Sequence, residues 1–499
     1  MQWHPTSLSD QKQFDPAEVF AAGLRAHHIA NTAYPIGHLT TMRPYRAPSY
    51  AVQQIAEQDW DEVDRLGLYV HVPFCEARCG YCEYCVLDPA NNAQTERVYF
   101  DLLLREFELY RQAIDTPSKT LIGFDIGGGT PALPEAGQIA RVVEAARKHF
   151  NLPAEVTISI ETTPKIAALQ PEKLRAFYAM GIHRISMGVQ TIHPRLLEAY
   201  GRTSTSLTYN RQAEANIRQA GFTRFNVDVM YGFARQSTEA FEATLRHVIS
   251  LRPEYITLYR MRYKGTRVAG QAQQVSLGEV VEQYALSKAL LGAAGYTGSP
   301  GKNTFSRLTG EPGTSDYLTQ RVIYGTPYLG LGLGAQSLAH KTLAYNCGAA
   351  EKRLQNYQRH VEEGRLPIQD IYHLSRPAAM AKMISVSFYF GEVNLPAFCE
   401  KFGLSLEQAF PAEVEFLLKE GLMEYHTEGR GIKTGSEPLT LRLTALGEKK
   451  VNGVIALFYA GAVKEYLIQL TKDQVASTSK EAEYEPQRLS RVTVIQVGA

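Results

Sequence analysis

The sequence predicts an α/β protein built on a partial (β/α)6 barrel, with an N-terminal extension and a mostly helical C-terminal domain. Short apolar runs rich in β-branched residues recur between residues 65 and 265, and stretches with helical spacing separate them. This alternation is typical of parallel sheets with crossover helices. Six units in that length fit a partial barrel better than a complete eight-fold barrel.

Each unit rests on its own apolar pattern. The predicted strands cover residues 66–72, 120–126, 155–161, 184–190, 225–231 and 255–260. The helices predicted between them cover residues 96–113, 135–149, 171–180, 207–220 and 238–251. The carboxyl ends of such strands share one face, and barrel enzymes carry their active sites on that face.

The chain divides further by composition. We expect residues 1–64 to wrap the barrel of residues 65–265 as an extension, and residues 266–370 to close the barrel as a connecting region. Residues 371–460 are predicted to form a helical domain, and residues 461–499 a polar tail that is poorly ordered. The helices predicted in the C-terminal domain cover residues 376–388, 395–402, 405–420 and 443–458.

Composition excludes several classes of protein. The chain of 499 residues is 44% hydrophobic and 21% charged, as in ordinary globular proteins. Its 52 basic and 51 acidic residues give a net charge of +1, so we expect no nucleic-acid partner. We see no signal peptide, and the apolar run at 454–463 is about half of what a bilayer requires. We therefore predict a cytoplasmic monomer without a membrane segment.

Four of the six cysteines, Cys75, Cys79, Cys82 and Cys85, follow the first predicted strand directly. Such a tight cluster favours metal binding over disulfide stapling. Three thiolates spaced Cys-x3-Cys-x2-Cys can hold three irons of a [4Fe–4S] cluster and leave the fourth iron open to a ligand. Zinc sites usually pair two dyads across a longer loop, and no second dyad is present, so iron–sulfur chemistry is favoured.

The remaining cysteines are less informative. Cys85 could be a fourth iron ligand, a redox thiol or an inert residue beside the cluster, and we favour the last because three cysteines already complete the open-iron pattern. Cys347 and Cys399 stand alone, and we expect them to be buried thiols.

Ligand-binding signals follow the other predicted strands. The run Gly127-Gly128-Gly129-Thr130-Pro131 comes directly after the second strand, where a backbone without Cβ atoms can approach a ligand, although a tight turn would explain it equally well. Polar residues lie at or near the ends of later strands, and each alone could be a cap. Together they predict contacts to a ribose, an amino-acid head group and an adenine: Glu161, Gln190, Arg202 and Asp228.

This combination resembles the radical S-adenosylmethionine (SAM) enzymes, and in particular the oxygen-independent coproporphyrinogen III oxidase, or HemN-like, family. The resemblance covers roughly residues 60–460. The stretches that carry it are residues 68–75, 127–131, 158–161, 184–190, 226–232 and 329–335. It implies a radical SAM barrel, a [4Fe–4S] cluster and one or two molecules of SAM.

The resemblance also implies roles for individual residues. Cys75, Cys79 and Cys82 would ligate the cluster. The residues on the family's SAM positions are Tyr69, Tyr81, Gly128, Gly129, Thr130, Glu161, Gln190, Arg202 and Asp228. The shared chemistry is one-electron cleavage of SAM to methionine and a 5′-deoxyadenosyl radical, with an electron donor such as flavodoxin or ferredoxin.

Two departures from the family concern the substrate chamber. Porphyrinogen-forming members carry Cys-Gly-Cys from the third ligand onward, with the glycine against a second SAM, whereas this chain has Cys82-Glu83-Tyr84-Cys85. A second position beside that SAM is small in those members and is Arg262 here. The sequence therefore changes the chamber walls and keeps the SAM-cleaving residues.

Three functions remain open. In the favoured one, a second SAM supplies a carbon that methylates or cyclopropanates an sp² carbon of a small biosynthetic substrate, with Glu83 contacting the sulfonium or acting as an acid or base and Arg262 orienting a carboxylate. In the second, the protein is a coproporphyrinogen III dehydrogenase, and Arg260 and Arg262 hold propionates. In the third, it binds or delivers haem with little catalysis.

Overall fold

The computed structural model describes residues 2–25, 38–429, 432–433 and 439–484. Six parallel strands form its centre, each hydrogen-bonded to the next in chain order. All six predicted strands are present, with bounds that differ from the prediction by no more than three residues. They are β1 (Arg65–Val72), β2 (Thr120–Gly128), β3 (Ile158–Thr162), β4 (Ile182–Gln190), β5 (Arg224–Tyr231) and β6 (Tyr255–Arg260).

Helices cover the outer face of these strands, as their amphipathic spacing predicts. Ser206 and Ser237 begin two of them, since each hydroxyl accepts a hydrogen bond from the backbone N–H three residues later. The barrel helices are α4 (Asn92–Ala113), α5 (Ala136–His149), α6 (Pro164–Leu169), α7 (Pro171–Ala179), α8 (Pro194–Ala199), α9 (Leu207–Gln219) and α10 (Thr238–Ser250).

The connecting region extends both edges of the sheet. Strand β7 (Thr304–Ser306) pairs with β6, and β8 (Tyr328–Leu331) pairs with β1, so the sheet has 11 strands in the order β11-β10-β9-β8-β1-β2-β3-β4-β5-β6-β7. No strand pair in the described residues joins the two edges, in contrast to the expected closure. The other elements are α11 (Leu277–Ala293), α12 (Asp316–Ile323), β9 (Gln336–Leu338), β10 (Thr342–Asn346), α13 (Leu354–Glu362) and β11 (Ile368–His373).

The C-terminal domain contains more breaks than the periodicity predicts. The helix expected over 405–420 is divided before Pro411, whose ring nitrogen cannot donate to a continuing helix. The domain comprises α14 (Arg376–Ser387), β12 (Glu392–Asn394), α15 (Leu395–Phe402), α16 (Leu406–Ala409), α17 (Pro411–Lys419), β13 (Met423–His426), β14 (Glu428–Gly429), β15 (Ile432–Lys433), β16 (Thr440–Leu443), α18 (Ala445–Lys449) and α19 (Val451–Leu457).

The expectation of a poorly ordered tail is wrong for its first half. Helix α20 covers Gly461–Tyr484, and Val463 and Leu467 on it are buried in the C-terminal core. Two apolar side chains four residues apart share one helix face, which is enough to anchor a mostly polar helix. Residues 485–499 lie outside the described part of the chain.

The N-terminal extension packs mainly against the C-terminal domain. It contributes α1 (Pro16–Arg25), α2 (His38–Thr41) and α3 (Val52–Gln58). Gly23 on α1 allows a close approach to α19, since a Cβ there would lie 2.5 Å from Ala456 Cβ. Val19, Ala22 and Tyr45 join the C-terminal core. No helix in the described residues is long and apolar enough to cross a membrane.

Candidate functional site

A chamber of about 950 Å³ opens at the carboxyl ends of the barrel strands. Its lining comes from the carboxyl ends of β2–β6, from one face of β9–β11 and from residues 73–87, which carry the four clustered cysteines. We call residues 73–87 the cysteine loop. Of the predicted site residues, all but Tyr69 line this chamber: Cys75, Cys79, Tyr81, Cys82, Glu83, Gly128, Gly129, Thr130, Glu161, Gln190, Arg202, Asp228 and Arg262. The structure therefore brings together residues that the sequence separates by almost two hundred positions.

The cysteine loop leaves β1 and returns against it, because the Leu87 N–H donates to Pro73 O at 2.9 Å. Thr130 Oγ1 lies 3.6 Å from Cys75 Sγ, and the Arg202 guanidinium lies 3.7 Å from Cys79 Sγ. Burial raises the pKa of Cys75 to about 12, and the neighbouring thiol groups add to this shift. A cationic iron–sulfur cluster would stabilise three such thiolates, so the donor set fits that group.

The three cysteines need not converge on one metal ion to serve as cluster ligands. The thiolates of a [4Fe–4S] cube bind three different irons. In the described part of the chain, no three His, Cys, Asp or Glu side chains are placed to hold one metal ion.

The remaining cysteines lie outside the chamber lining. Cys85 is buried, and its thiol donates to Gly348 O at 3.3 Å. This placement agrees with the favoured interpretation of Cys85 as a residue beside the cluster. Cys347 is buried as expected, but Cys399 is exposed, because it lies on an outward face of α15.

The glycine run allows the end of β2 to pass close against β1 and the cysteine loop. Gly128 has a φ of 120°, and a Cβ there would lie 2.6 Å from the His71 ring. A Cβ on Gly129 would lie 2.5 Å from Phe74 O. The freed Gly128 N–H donates to Glu161 Oε2 at 3.2 Å. The glycines are therefore required for packing as well as for approach to a ligand.

Two carboxylates face the chamber from the carboxyl-terminal halves of β3 and β5, which β4 separates in the sheet. The surface of Glu161 is open to the chamber, but the protein surrounds the carboxyl group. This enclosure raises the pKa of Glu161 to about 8, and the charge of Asp228 adds to the shift. Burial raises the pKa of Asp228 to about 6, although Asn226 and Ser186 donate hydrogen bonds to it at 2.8 and 3.3 Å. A ligand that carries positive charge and hydroxyl donors, as SAM does, would stabilise both ionised carboxylates.

Gln190, at the end of β4 between the two carboxylates, and Arg202 supply further hydrogen-bonding groups to the chamber. Gln190 has a φ of 69°, and its Oε1 is buried without a hydrogen-bond partner. Backbone strain and an unsatisfied buried acceptor are both costly, and both are typical of ligand sites. Arg202 donates to Gly188 O and, at 3.0 Å, to Tyr81 OH. We call the set Gly128, Gly129, Thr130, Glu161, Gln190, Arg202 and Asp228 the floor of the chamber.

Tyr69 lies behind the floor and contacts His71. The pKa of His71 is lowered to about 4 by burial, so its ring is neutral. His71 Nε2 lies 2.6 Å from Cys85 O and therefore carries the proton. Its Nδ1 then accepts from Tyr69 OH at 3.2 Å. Tyr69 and His71 thus connect the barrel interior to the end of the cysteine loop.

Glu83 and Arg262 meet above the floor. Arg262 Nη2 lies 3.0 Å from Glu83 Oε2, and both side chains are about one third exposed to the chamber. Glu83 Oε1 is buried and has no hydrogen-bond partner. Lys352 Nζ donates to the Glu83 backbone carbonyl at 2.6 Å. Burial raises the pKa of Glu83, and the Arg262 charge opposes that shift.

Sequence reasoning missed several lining residues. Tyr84 and Tyr259 project into the chamber, and Arg46 forms an ion pair with Asp370 at its far end. The Cys-Glu-Tyr departure could have pointed to Tyr84. Arg46 and Asp370 gave no local signal, because a contact between residues 324 positions apart depends on the tertiary fold. We call Glu83, Tyr84, Tyr259 and Arg262 the upper wall.

Comparison with known proteins agrees with this geometry. Residues 69–248 match the model of the radical SAM superfamily, and the relatives below are HemN-like. Residues 69–248 form a radical SAM domain, and the chain as a whole is similar to HemN-like proteins. This domain carries the cysteine loop and all seven residues of the floor, and the cofactors of this chain are a [4Fe–4S] cluster and SAM.

Two curated relatives and one solved structure show the extent of the likeness. The chain is 28% identical to the haem chaperone HemW of Mycobacterium tuberculosis over 381 residues, which are 74% of this chain and 91% of that protein. It is 28% identical to the oxygen-independent coproporphyrinogen III oxidase of Escherichia coli over 314 residues, 60% of this chain and 66% of that protein. The structure of Escherichia coli HemN, a radical SAM enzyme, matches with a TM-score of 0.67 and 23% identity over 83% of this chain and 93% of HemN. The last comparison shows the shared fold.

Proposed function

We propose that this radical SAM enzyme transfers a carbon from a second SAM to an sp² carbon of a small biosynthetic substrate, by methylation or cyclopropanation. The ion pair between Glu83 and Arg262 carries the proposal. It places a carboxylate in the chamber directly beside the cluster ligand Cys82. By the resemblance described above, glycine occupies this position in the porphyrinogen-forming members. The enzyme class follows from the family, whereas the reaction is our inference from the upper wall.

The charges of the upper wall oppose the binding of propionates. Glu83 already neutralises Arg262, so this arginine is not available to a second carboxylate without losing its partner. A substrate carboxylate close to Glu83 Oε1 would meet a like charge in a partly desolvated site. An uncharged acceptor with an sp² carbon would avoid this repulsion. The positively charged sulfonium of a second SAM would be attracted to the Glu83 carboxylate.

The chemistry requires a group that moves a proton. When bound, the cluster and the first SAM supply a 5′-deoxyadenosyl radical by one-electron cleavage. In the net methyl transfer, a substrate C–H, the methylene of the second SAM and one further electron give C–CH₃ and S-adenosylhomocysteine. A proton must move from the substrate carbon to the incoming carbon, and the Glu83 carboxylate, whose side chain is about one third exposed to the chamber, would accept and return it.

The residues of the floor have a different task. Glu161, Gln190, Arg202 and Asp228 orient SAM above the cysteine loop and exclude water from it. Flavodoxin or ferredoxin would supply the electrons. We propose that the protein acts in the cytoplasm, because a cluster with an open iron requires a reducing compartment. We also propose that it acts as a monomer.

A second candidate is the dehydrogenation of coproporphyrinogen III. The chamber volume and the cationic side chains of Arg46, Arg260 and Arg262 in its lining favour it. In this case Arg262 would exchange Glu83 for a propionate. A third candidate, haem binding, is favoured by the similarity to HemW along most of that relative.

The test uses SAM that carries a trideuterated methyl group, because it needs no knowledge of the acceptor. The anaerobically reconstituted enzyme is incubated with this SAM and a reductant, and 5′-deoxyadenosine is analysed by mass spectrometry. Deuterium in 5′-deoxyadenosine is expected, since the radical takes hydrogen from the methyl group of the second SAM. Unlabelled 5′-deoxyadenosine throughout would contradict the proposal.

Parallel incubations separate the alternatives. Carbon dioxide released from added coproporphyrinogen III would support dehydrogenation instead. Stoichiometric haem absorbance without release of 5′-deoxyadenosine would support the haem-binding function. S-adenosylhomocysteine that accumulates together with deuterated 5′-deoxyadenosine would support carbon transfer.

A further inference from the structure

Tyr84 projects into the chamber from the middle of the Cys-Glu-Tyr-Cys segment. Its side chain is 65% exposed, and among the described aromatic residues only Tyr50, at 89%, exposes more. Tyr50 lies on the N-terminal extension, whereas Tyr84 lines the chamber. The exposed surface of Tyr84 therefore faces the chamber interior, where a ligand can cover it.

Tyr84 shares the chamber with the SAM-binding floor. Glu161 and Asp228 of the floor and the cluster ligand Cys82 line the same chamber as Tyr84. The exposed ring and the floor therefore face one space.

A second aromatic residue faces the same space. Tyr259, at the end of β6, lines the chamber and is 36% exposed. Its hydroxyl lies 3.3 Å from that of Tyr389. Tyr84 and Tyr259 therefore both offer ring surface to the same chamber.

The backbone on both sides of Tyr84 is held in place. Lys352 donates to the carbonyl of Glu83, and His71 donates to the carbonyl of Cys85, each at 2.6 Å. The Cys85 thiol donates to Gly348 O at 3.3 Å. Because these contacts come from separate parts of the fold, the segment is preorganised, and the conformational cost of presenting Tyr84 is met before a ligand arrives.

We propose that Tyr84 is the residue that selects the substrate, by stacking against a planar, unsaturated ring with Tyr259 on the same wall. This inference rests on the proposed carbon transfer and narrows its acceptor to a flat aromatic or heteroaromatic ring. Stacking on Tyr84 would place the edge of that ring beside the adjacent residue, Glu83. The reacting sp² carbon would then lie near the carboxylate that moves its proton.

The experiment measures binding without turnover. Holoprotein loaded with cluster and SAM, without reductant, is titrated by calorimetry with 2-naphthol and with its saturated analogue, decahydro-2-naphthol. The two probes are uncharged, share a hydroxyl group and a carbon skeleton, and differ in planarity. We expect 2-naphthol to bind at least tenfold more tightly than the saturated probe.

Variants assign the preference to the ring. Tyr84→Ala should weaken 2-naphthol binding about tenfold and leave binding of the saturated probe unchanged, while Tyr84→Phe should bind 2-naphthol within twofold of the wild type. Tyr50→Ala is the matched control, since it removes an exposed tyrosine outside the chamber, and it should change nothing. Iron content and SAM affinity, measured for each variant, show that the site itself is intact.

Equal affinity for the two probes, no measurable binding of 2-naphthol, or unchanged binding in Tyr84→Ala would each overturn the proposal. Its failure can be told apart from a failure of carbon transfer. Tyr84-dependent binding together with unlabelled 5′-deoxyadenosine would contradict only the proposed reaction. Deuterated 5′-deoxyadenosine without Tyr84-dependent binding would contradict only the role of Tyr84.

Discussion

The floor and the upper wall of the chamber are built in different ways. Except for Arg202, which follows α8, the floor residues lie on or directly after the consecutive parallel strands β2–β5, and the backbone ladder positions them. The upper wall depends on side-chain contacts between distant segments, such as the pair of Glu83 and Arg262. Backbone-positioned groups suit a cofactor that all family members share. Side-chain contacts are easily exchanged, so they suit the part of the site that selects the substrate.

The largest effect is expected when one of the cluster ligands, which adjoin the floor, is removed. Cys79→Ala removes one of three thiolates, and we expect the reconstituted protein to lose almost all iron and sulfide and to release no 5′-deoxyadenosine. Cys85→Ala is the control, because the Cys85 thiol donates to Gly348 O and does not line the chamber. It should retain iron. Loss of iron in Cys85→Ala alone would contradict the ligand assignment.

A smaller effect is expected on SAM affinity, which should depend on the floor and not on the upper wall. Glu161→Gln removes a charged acceptor that the Gly128 N–H contacts at 3.2 Å, and the tighter SAM should bind about 10- to 100-fold more weakly. Glu83→Gln lies in the upper wall and should change that affinity less than about twofold. Calorimetry on cluster-loaded protein without reductant measures both. Equal losses in the two variants would contradict the division into floor and wall.

Substituting alanine for Gly128 in the floor and for Gly265 beside the upper wall tests how well each region accommodates an added methyl group. Gly128→Ala meets the His71 ring at 2.6 Å with a φ of 120°, and we expect it to destabilise the fold by about 3 kcal/mol. Gly265→Ala, beside the upper wall, has a φ of 83° but lies 3.6 Å from Glu83 Oε1, so about 1 kcal/mol is expected. Urea unfolding of both apoproteins tests the order. A larger cost at Gly265 would contradict it.

The smallest effect concerns a buried carboxyl behind the cysteine loop. Glu106 accepts hydrogen bonds from the Gly332 N–H at 2.8 Å and the Asn346 side chain at 2.8 Å. Burial raises its pKa from 4.5 to about 7. Between these values the folded state retains a proton that the unfolded chain has released, so stability should fall as the pH rises, by up to about 1 kcal/mol per pH unit.

Glu106→Gln removes this titration. The free energy of unfolding, measured in urea at pH 5.5 and 7, should therefore depend less on pH in the variant than in the wild type. The same pH dependence in both proteins would show that Glu106 is already ionised in the folded state.

The sequence predicted the floor better than the wall for a physical reason. Strand periodicity is a local property, and the carboxyl ends of parallel strands must share one face, so Glu161, Gln190 and Asp228 could be placed together before the structure was known. Arg46 reaches Asp370 through contacts that no local pattern encodes. The helix over Gly461–Tyr484 was missed because its few apolar residues give a weak helical signal.

The upper wall shows an intermediate case. The sequence singled out Glu83 and Arg262 as departures from the family, and the structure pairs them at 3.0 Å. It could not show that Glu83 Oε1 lacks a partner or that Tyr84 faces the chamber, since both depend on how the connecting region packs against the cysteine loop.

The most direct test of the account compares two outputs of one incubation. Wild type and Glu83→Gln receive SAM with a trideuterated methyl group and a reductant, and both the total amount and the deuterium content of 5′-deoxyadenosine are measured. If the floor cleaves SAM and the wall directs the radical, the variant should keep the total within about twofold and lose at least tenfold of the deuterated fraction. An unchanged deuterated fraction, or a parallel fall of both quantities, would contradict that separation.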